Sequence, residues 1–233
     1  MDSRQVSRGL KTHIRPLLSS LGFRAFTTRS AWRYGDHGVD VVTFPSFNSY
    51  SAGVLRVTTF SFSVSLGRFF LDVPPVGGPL KFKGNEARPD EALCPFRCRL
   101  HRDLVQRACT DRGIWSVDED GANLDEVLAD VAAVIARELP YLFGQLDGHA
   151  AALEILEEQE ERMESGWWGF GNHGSPVRLL LIGYFALRVG RFRQAHRSLL
   201  AAYESGCFDD DLRTRLEADM RWAHDQAEAK ESV

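Results

Sequence analysis

The sequence predicts an α+β fold in which an antiparallel sheet flanked by helices is followed by an all-helical module. Three observations support this prediction. Apolar residues recur at helical spacing at the start of the chain, alternate with polar residues over much of residues 23–69, and return to helical spacing from about residue 123. We expect residues 1–145 to form the sheet domain and residues 146–233 to form a helical tetratricopeptide-like module.

The first predicted element is an amphipathic helix over residues 3–21. Its apolar residues are three or four positions apart and form one face: Val6, Leu10, Ile14, Leu17, Leu18 and Leu21. Pro16 interrupts this pattern, so we expect the helix to kink or divide there. Gly22 is well placed to end the helix, because glycine accepts the left-handed conformation.

Strands are predicted over residues 23–29, 31–34 and 39–45, with turn residues between them and a loop over residues 48–53. The clearest alternation lies in residues 57–69, where Phe60, Phe62 and Val64 face away from Thr59, Ser61 and Ser63. This pattern predicts a half-buried antiparallel strand. Residues 74–89 are rich in proline and glycine and predict a surface loop, and residues 93–100 predict a short strand.

Helices are predicted over residues 123–139, 150–164, 176–189, 192–204 and 209–229. Ser175 followed by Pro176 is a strong start signal, because serine caps a helix and proline suits its first turn.

Charge is unevenly distributed along the chain. Residues 1–34 are basic and residues 116–165 are strongly acidic. This asymmetry predicts either a basic binding face or an internal interface between the two regions, and we favour the interface because no lysine-rich run is present. No signal-peptide core and no apolar run approaching the ~20 residues of a membrane span is seen. We therefore expect a cytoplasmic protein with reduced thiols.

The chain has four residues whose number suits a zinc site: Cys94, Cys98, His101 and Cys109. Their spacing does not match that of the usual zinc ligands. In a strand, Cys94 and Cys98 would lie on one face about 13 Å apart, too far to share an ion. We expect both to be core residues, and we expect neither a metal nor a cofactor.

The opposite face of the same strand carries Arg97 and Arg99, with Arg102 and Arg107 downstream and Trp115 nearby. Paired arginines can clamp a phosphate or a carboxylate through bidentate hydrogen bonds. The alternative is that they pair with the acidic helices that follow, or with water. If they form a site, they should converge in one pocket with an aromatic side chain.

The loop over residues 166–171 places Trp167, Trp168 and Phe170 among glycines. Exposed, these rings would form a partner-binding surface, because tryptophan is enriched in interface hot spots. Buried, they would wedge the helical module onto the sheet, and we favour burial.

No catalytic signature is found. The seven histidines are scattered, and neither a nucleophile elbow nor a phosphate-binding loop is present. The five glutamates between residues 157 and 164 lie close together in the sequence, which is typical of the solvated face of a helix.

Residues 179–207 resemble one tetratricopeptide repeat. Leu179, Ile182 and Gly183 match its first helix, Gly190 and Phe192 match its turn, and Ala195, Leu199 and Ala202 match its second helix. Cys207 stands where that family often has proline. A stable array needs about three repeats, so we expect a single repeat-like hairpin flanked by other helices.

Residues 8–143 resemble the bacterial domain of unknown function 4304 family. The resemblance rests on Ile14-Arg15-Pro16-Leu17-Leu18, Leu21-Gly22-Phe23, Trp32-Arg33, residues 41–44 and 46–49, residues 60–67, residues 94–100 and Trp115. It implies an α+β sheet domain and brings no catalytic residues. Some members look like immunity or defence components.

The sequence therefore favours a non-catalytic bacterial protein that binds another protein, as an accessory factor in a toxin-immunity or defence setting. The alternative is a ligand- or nucleic-acid-binding domain, with or without enzymatic activity. Homo-oligomerisation through the helical module is a third interpretation. The residues singled out for ligand or partner binding are Arg97, Arg99, Arg102, Trp115, Trp167 and Trp168.

Overall fold

The computed structural model describes residues 2–106, 109–158 and 166–231, with side chains as far as residue 229. It confirms the α+β fold: a six-stranded antiparallel sheet is combined with helices, and the C-terminal part is helical.

The N-terminal helix is present but divided. Helix α1 (Ser3–Gly9) passes through a π-helical turn (Leu10–Ile14) into helix α2 (Arg15–Ser20). In this wider turn the Arg15 N–H donates to the Leu10 carbonyl. The turn lies directly before Pro16, whose nitrogen has no hydrogen to donate. Gly22, with a φ of 89°, follows the helix as predicted.

The sheet has the strand order β1-β2-β3-β4-β7-β8, and each strand pairs with its neighbours in antiparallel register. A separate hairpin of two short strands, β5 and β6, lies inside the predicted proline-rich loop. The strands are β1 (Ala25–Phe26), β2 (Ser30–Tyr34), β3 (Gly38–Thr43), β4 (Ser65–Phe70), β5 (Phe82–Lys83), β6 (Glu86–Ala87), β7 (Phe96–Arg99) and β8 (Trp168–Gly169).

Two predictions between β3 and β4 are wrong. Residues 48–53 are not a loop, because helix α3 (Ser49–Leu55) begins there and the Asn48 side chain accepts a hydrogen bond from the Ser51 N–H at 2.8 Å. The strand expected over residues 57–69 begins only at Ser65, and it is not half-buried. Ser61 and Ser63 are buried, and the Ser61 hydroxyl accepts from the Val117 N–H at 3.0 Å.

The helices predicted after residue 123 are confirmed, with shifted ends. The helix predicted over residues 150–164 is described only to Glu158, and residues 159–164 lie outside the described residues. Ser175 caps its helix as expected, accepting from the Arg178 N–H at 3.4 Å. These helices are α4 (Leu124–Gly144), α5 (Gly148–Glu158), α6 (Pro176–Arg188), α7 (Phe192–Glu204) and α8 (Asp210–Glu231).

One hydrophobic core runs through both predicted domains. The Trp167 ring lies 5.3 Å from that of Phe143 on α4, and the Phe185 ring on α6 lies 4.9 Å from Phe70 and 5.5 Å from Phe96 on the sheet. A smaller cluster on the other sheet face packs Trp32 and its neighbours against residues of the 74–95 segment. The helical module therefore packs directly on the sheet.

Polar contacts reinforce this junction. His149 Nε2 on α5 lies 3.0 Å from Asp72, which follows β4, and Arg188 Nε on α6 lies 3.0 Å from the same carboxylate. Arg188 also donates to the Asp72 carbonyl at 2.6 Å.

A buried charge group crosses the centre of the sheet. Asp40 on β3 lies between Arg33 on β2, at 2.7 Å, and Arg68 on β4, at 2.6 Å. Burial raises the pKa of Asp40, although the two guanidinium groups oppose the rise. These ion pairs specify the strand register, since a shift by one residue would move Asp40 to the other face.

In the described ranges, no helix combines the length and the apolar character needed to cross a membrane.

Candidate functional site

Arg102 is a structural residue of the segment that follows β7. It is 4% exposed, and its guanidinium donates to the carbonyls of Ile114 at 2.9 Å and Cys109 at 2.5 Å, and also to that of Leu104. A further contact reaches the Asp111 carbonyl at 3.5 Å. Since the backbone uses this guanidinium, it has little left to offer a ligand.

Trp115 is fully buried. Its Nε1 donates to Asp130 Oδ2 at 2.8 Å, and its ring stacks on Phe62 with a centroid distance of 6.5 Å. The structure therefore does not bring Arg97, Arg99, Arg102 and Trp115 together in one pocket. Arg107 lies outside the described residues.

Arg97 and Arg99 do share one face of β7, as predicted. The Arg97 guanidinium lies over the Trp168 ring at 4.3 Å and over Phe170 at 5.2 Å, because β8 pairs Trp168 directly with Arg97. The acidic group near both arginines is Glu91, not the helices that follow. Burial raises the pKa of the Glu91 carboxyl, and the positive charges of Arg97 and Arg99 oppose the rise.

The two tryptophans of the glycine-rich loop have different environments. Trp167 is buried, as expected, and its Nε1 donates to the Leu142 carbonyl at 2.6 Å. Trp168 is partly exposed and belongs to β8, so this segment does more than wedge two parts together: it supplies the last strand of the sheet. Two residues are too few for a strand pattern to be visible in the sequence.

The expectation that Cys94 and Cys98 share a face is wrong. Cys94 precedes β7 and packs in the smaller cluster, whereas Cys98 packs against the main core. Burial raises the pKa of Cys98 to about 11, so its thiol is protonated at neutral pH. Within the described residues, no three histidine, cysteine or acidic side chains are grouped as metal ligands.

A cleft lies between the end of β7 and helix α4, and we call it the β7–α4 cleft. Its volume is about 330 Å³. Its positive charge comes from Arg99, Arg112 and Arg137, and its negative charge comes from Asp103 and Glu138. Its apolar surface is formed by Cys98, Leu100 and Leu142, and His101 completes the lining. Of the residues predicted to form a site, only Arg99 lies here.

The charges in this cleft are ordered by hydrogen bonds. Arg137 donates to Asp103 at 2.6 and 3.3 Å and to Glu138 at 2.7 Å, and its hydrogen bonding to Asp103 lowers the pKa of the Asp103 carboxyl. Arg112 donates to the Arg102 carbonyl through Nε at 3.4 Å and Nη2 at 3.2 Å. Arg99 Nη1 lies 4.0 Å from Asp111 Oδ2, which is a loose ion pair.

A second concave surface lies between the start of α7 and the end of α8, and we call it the α7–α8 groove. It has a volume of about 390 Å³ and is lined by Gly190, Arg191, Phe192, Arg193, Gln194, Arg197 and Ala227. Beside it, the Trp222 ring meets Phe192 edge to face at 5.4 Å and is 49% exposed.

An ion pair joins the groove to α5. Arg191 lies 3.2 Å from Glu157 on α5, and Gln194 donates to the same carboxylate. The tetratricopeptide resemblance in the sequence already included Gly190 and Phe192 of this turn. It gave no signal for Trp222, because α8 brings that ring to Phe192 only in the folded chain.

Comparison of the chain with models of protein families, with curated proteins and with solved structures finds no significant match, so the two resemblances stated above stay predictions.

Proposed function

We propose that this chain is a non-catalytic bacterial interaction protein of the cytoplasm, whose helical module binds an acidic segment of another protein in the α7–α8 groove. The observation that carries this proposal is the combination of several arginines lining one groove with a half-exposed tryptophan beside it. Tryptophan and arginine are the residues most enriched in interface hot spots.

The charges of the groove favour an acidic partner. Arg193 and Arg197 are both exposed and are four residues apart, so they lie on the same side of α7. A carboxylate of the partner can be bound by an arginine fork, and an apolar side chain of the partner can pack on Phe192 and Trp222.

The helices behind the groove form a rigid support. Gly183 lets α6 and α7 approach closely, since a Cβ at this position would lie 2.5 Å from Leu199. Tyr184 on α6 donates its hydroxyl to Asp219 on α8 at 2.8 Å. The tetratricopeptide resemblance favours partner binding here, and the resemblance of residues 8–143 favours a toxin-immunity or defence setting.

Affinity capture with the tagged chain, followed by titration of the purified partner, tests the proposal. We expect Arg193→Glu with Arg197→Glu to weaken binding at least about tenfold, because two attractive contacts become repulsive. Trp222→Ala should also weaken it. The matched control is Arg4→Glu with Arg8→Glu, two exposed arginines four residues apart on α1, which should leave the affinity within about twofold.

Three results would contradict the proposal. The first is equal binding by the groove variant and the control. The second is co-purification of nucleic acid, detected by the ultraviolet absorbance ratio. If the double variant Arg97→Ala with Arg99→Ala loses this nucleic acid, the nucleic-acid alternative is favoured. The third is a mass that rises with concentration and falls in the groove variant, which would make the groove a self-association surface.

A further inference from the structure

We infer that the β7–α4 cleft is a binding site for a small organic anion, with a phosphate or carboxylate head and an apolar body. This site is separate from the groove of the proposed function, and it uses Arg99 and Arg112 in place of the predicted set Arg97, Arg99 and Arg102.

The three arginines of the cleft differ in how many hydrogen-bond donors their existing contacts use. Arg137 is engaged by Asp103 and Glu138, so its guanidinium is already used, and the positive charge of Arg112 also acts on Asp103. Arg112 uses Nε and Nη2 on a single backbone carbonyl. Among the residues that the structure describes, Arg99 forms one side-chain ion pair, the 4.0 Å contact with Asp111. Arg99 and Arg112 therefore carry the donors that an oxyanion would meet.

Arg112 and Arg99 are held in place by the surrounding structure before any anion binds. The Arg102 carbonyl that holds Arg112 belongs to a residue whose own guanidinium is fixed by backbone carbonyls. The Arg99 side chain packs directly on Gly113, where a Cβ would lie 2.6 Å from Arg99 Cδ. Guanidinium groups held in place before binding lose less conformational entropy when an anion arrives.

The volume and lining of the β7–α4 cleft suit a small organic molecule. The cleft of about 330 Å³ lies at the lower end of the range of small-molecule sites, roughly 300–1,000 Å³. Its apolar surface is formed by Cys98, Leu100 and Leu142. Because polar and apolar groups line the same cleft, an anion with a small ring or chain matches it better than a free ion.

The test is calorimetric and NMR titration of the full chain with phenyl phosphate, benzoate and inorganic phosphate. We expect saturable binding of one equivalent of phenyl phosphate or benzoate, weakened by salt and stronger than that of inorganic phosphate. Tighter binding of phenyl phosphate would assign a phosphate head, and tighter binding of benzoate a carboxylate head.

Two sets of variants locate the site. Arg99→Gln with Arg112→Gln should weaken binding at least about tenfold, because charge-assisted hydrogen bonds are lost. Gly113→Ala should weaken it by displacing Arg99 without changing any charge. Arg4→Gln with Arg8→Gln is the control and should bind like the unmodified chain.

The inference fails if neither organic anion binds saturably at millimolar concentration, or if the Arg99 and Arg112 variant binds within about twofold of the control. Equal binding of inorganic phosphate and phenyl phosphate would overturn the apolar part of the assignment. The Arg193→Glu and Arg197→Glu variant should keep its anion binding, so failure here and failure of the partner groove are distinguishable.

Discussion

At the scale of the residue, burial decides what each arginine does. Arg102, buried among carbonyls, organises a loop; Arg68 pairs with Asp40 inside the sheet. Arg97 rests on Trp168, and Arg99 lines an open cleft. The sequence predicted that Arg97 and Arg99 share a face, because strand alternation is local. It could not predict the environment of Arg102, whose acceptors include residues as distant as Ile114.

Arg102 gives the sharpest test of this distinction. We expect Arg102→Ala to lower the free energy of unfolding by about 2–4 kcal/mol, because several buried carbonyls would lose their donor. Arg102→Lys should recover only part of this loss, since an ammonium group lacks the planar fork. Urea unfolding measures both, with Arg4→Ala as the control. A loss below about 0.5 kcal/mol for Arg102→Ala would contradict the structural role.

The cysteines should differ widely in reactivity. With a pKa of about 11, Cys98 is a thiolate in only about one molecule in ten thousand at pH 7. Cys94 and Cys109 are buried, whereas Cys207 is exposed. We expect iodoacetamide to label Cys207 first in the native protein and a Cys207→Ser variant to label slowly.

Mass spectrometry of the labelled peptides identifies the site. Because only the thiolate reacts, the labelling rate of Cys98 should rise about tenfold per pH unit until the pH reaches about 11. Rapid labelling of Cys98 at pH 7 would show that its surroundings are more polar than the structure indicates.

At the scale of the element, periodicity predicted long helices well and short extended segments poorly. The apolar stripe of α4 identified that helix, although the helix continues through Pro140 to Gly144. The alternation before β4 was misleading, because Ser61 and Ser63 there are buried, and the Ser61 hydroxyl bonds to a backbone N–H, so the serines mimic the polar face of a strand. β8 and α3 were missed because each depends on contacts or caps rather than on a repeating pattern.

Two glycines in helices should respond to alanine with opposite signs. Gly183→Ala places a Cβ 2.5 Å from Leu199, so we expect overpacking to cost about 1–3 kcal/mol. Gly53→Ala on α3 meets nothing within 4 Å and should stabilise the protein by about 0.5–1 kcal/mol.

Thermal and urea unfolding of the two variants measure both changes. Because both variants replace a helical glycine with alanine, the difference between their free energies of unfolding separates the effect of packing from that of helix propensity. An equal effect of the two substitutions would mean that α6 and α7 can separate at little cost.

At the scale of the whole molecule, the sheet and the helical module share one core. Phe70, Phe96 and Phe143 contact rings that lie beyond residue 145, and β8 completes the sheet from the same part of the chain. The charge asymmetry of the sequence suggested an electrostatic interface between the N-terminal and acidic regions. Between α1 and α4 the observed contact is apolar, with Gly9 packed against Leu128.

This shared core predicts one cooperative unfolding transition for the full chain. Circular dichroism and tryptophan fluorescence should give the same midpoint in urea. A chain ending at residue 145 should lose this transition, because its aromatic core and the edge of β7 would be uncovered. Two separate transitions in the full chain, or cooperative unfolding of the shortened one, would show that the predicted domains fold independently.

The position of β8 also has a consequence for synthesis on the ribosome. β7 ends at Arg99, but its partner strand begins only at Trp168, after α4 and α5. A nascent chain therefore carries an open strand edge during the whole interval in which residues 100–167 are added. Unpaired edges invite pairing with other chains. Translation arrest within this interval should leave a product that depends on chaperones, whereas the full chain, in which α6 also covers Phe70 and Phe96, should not.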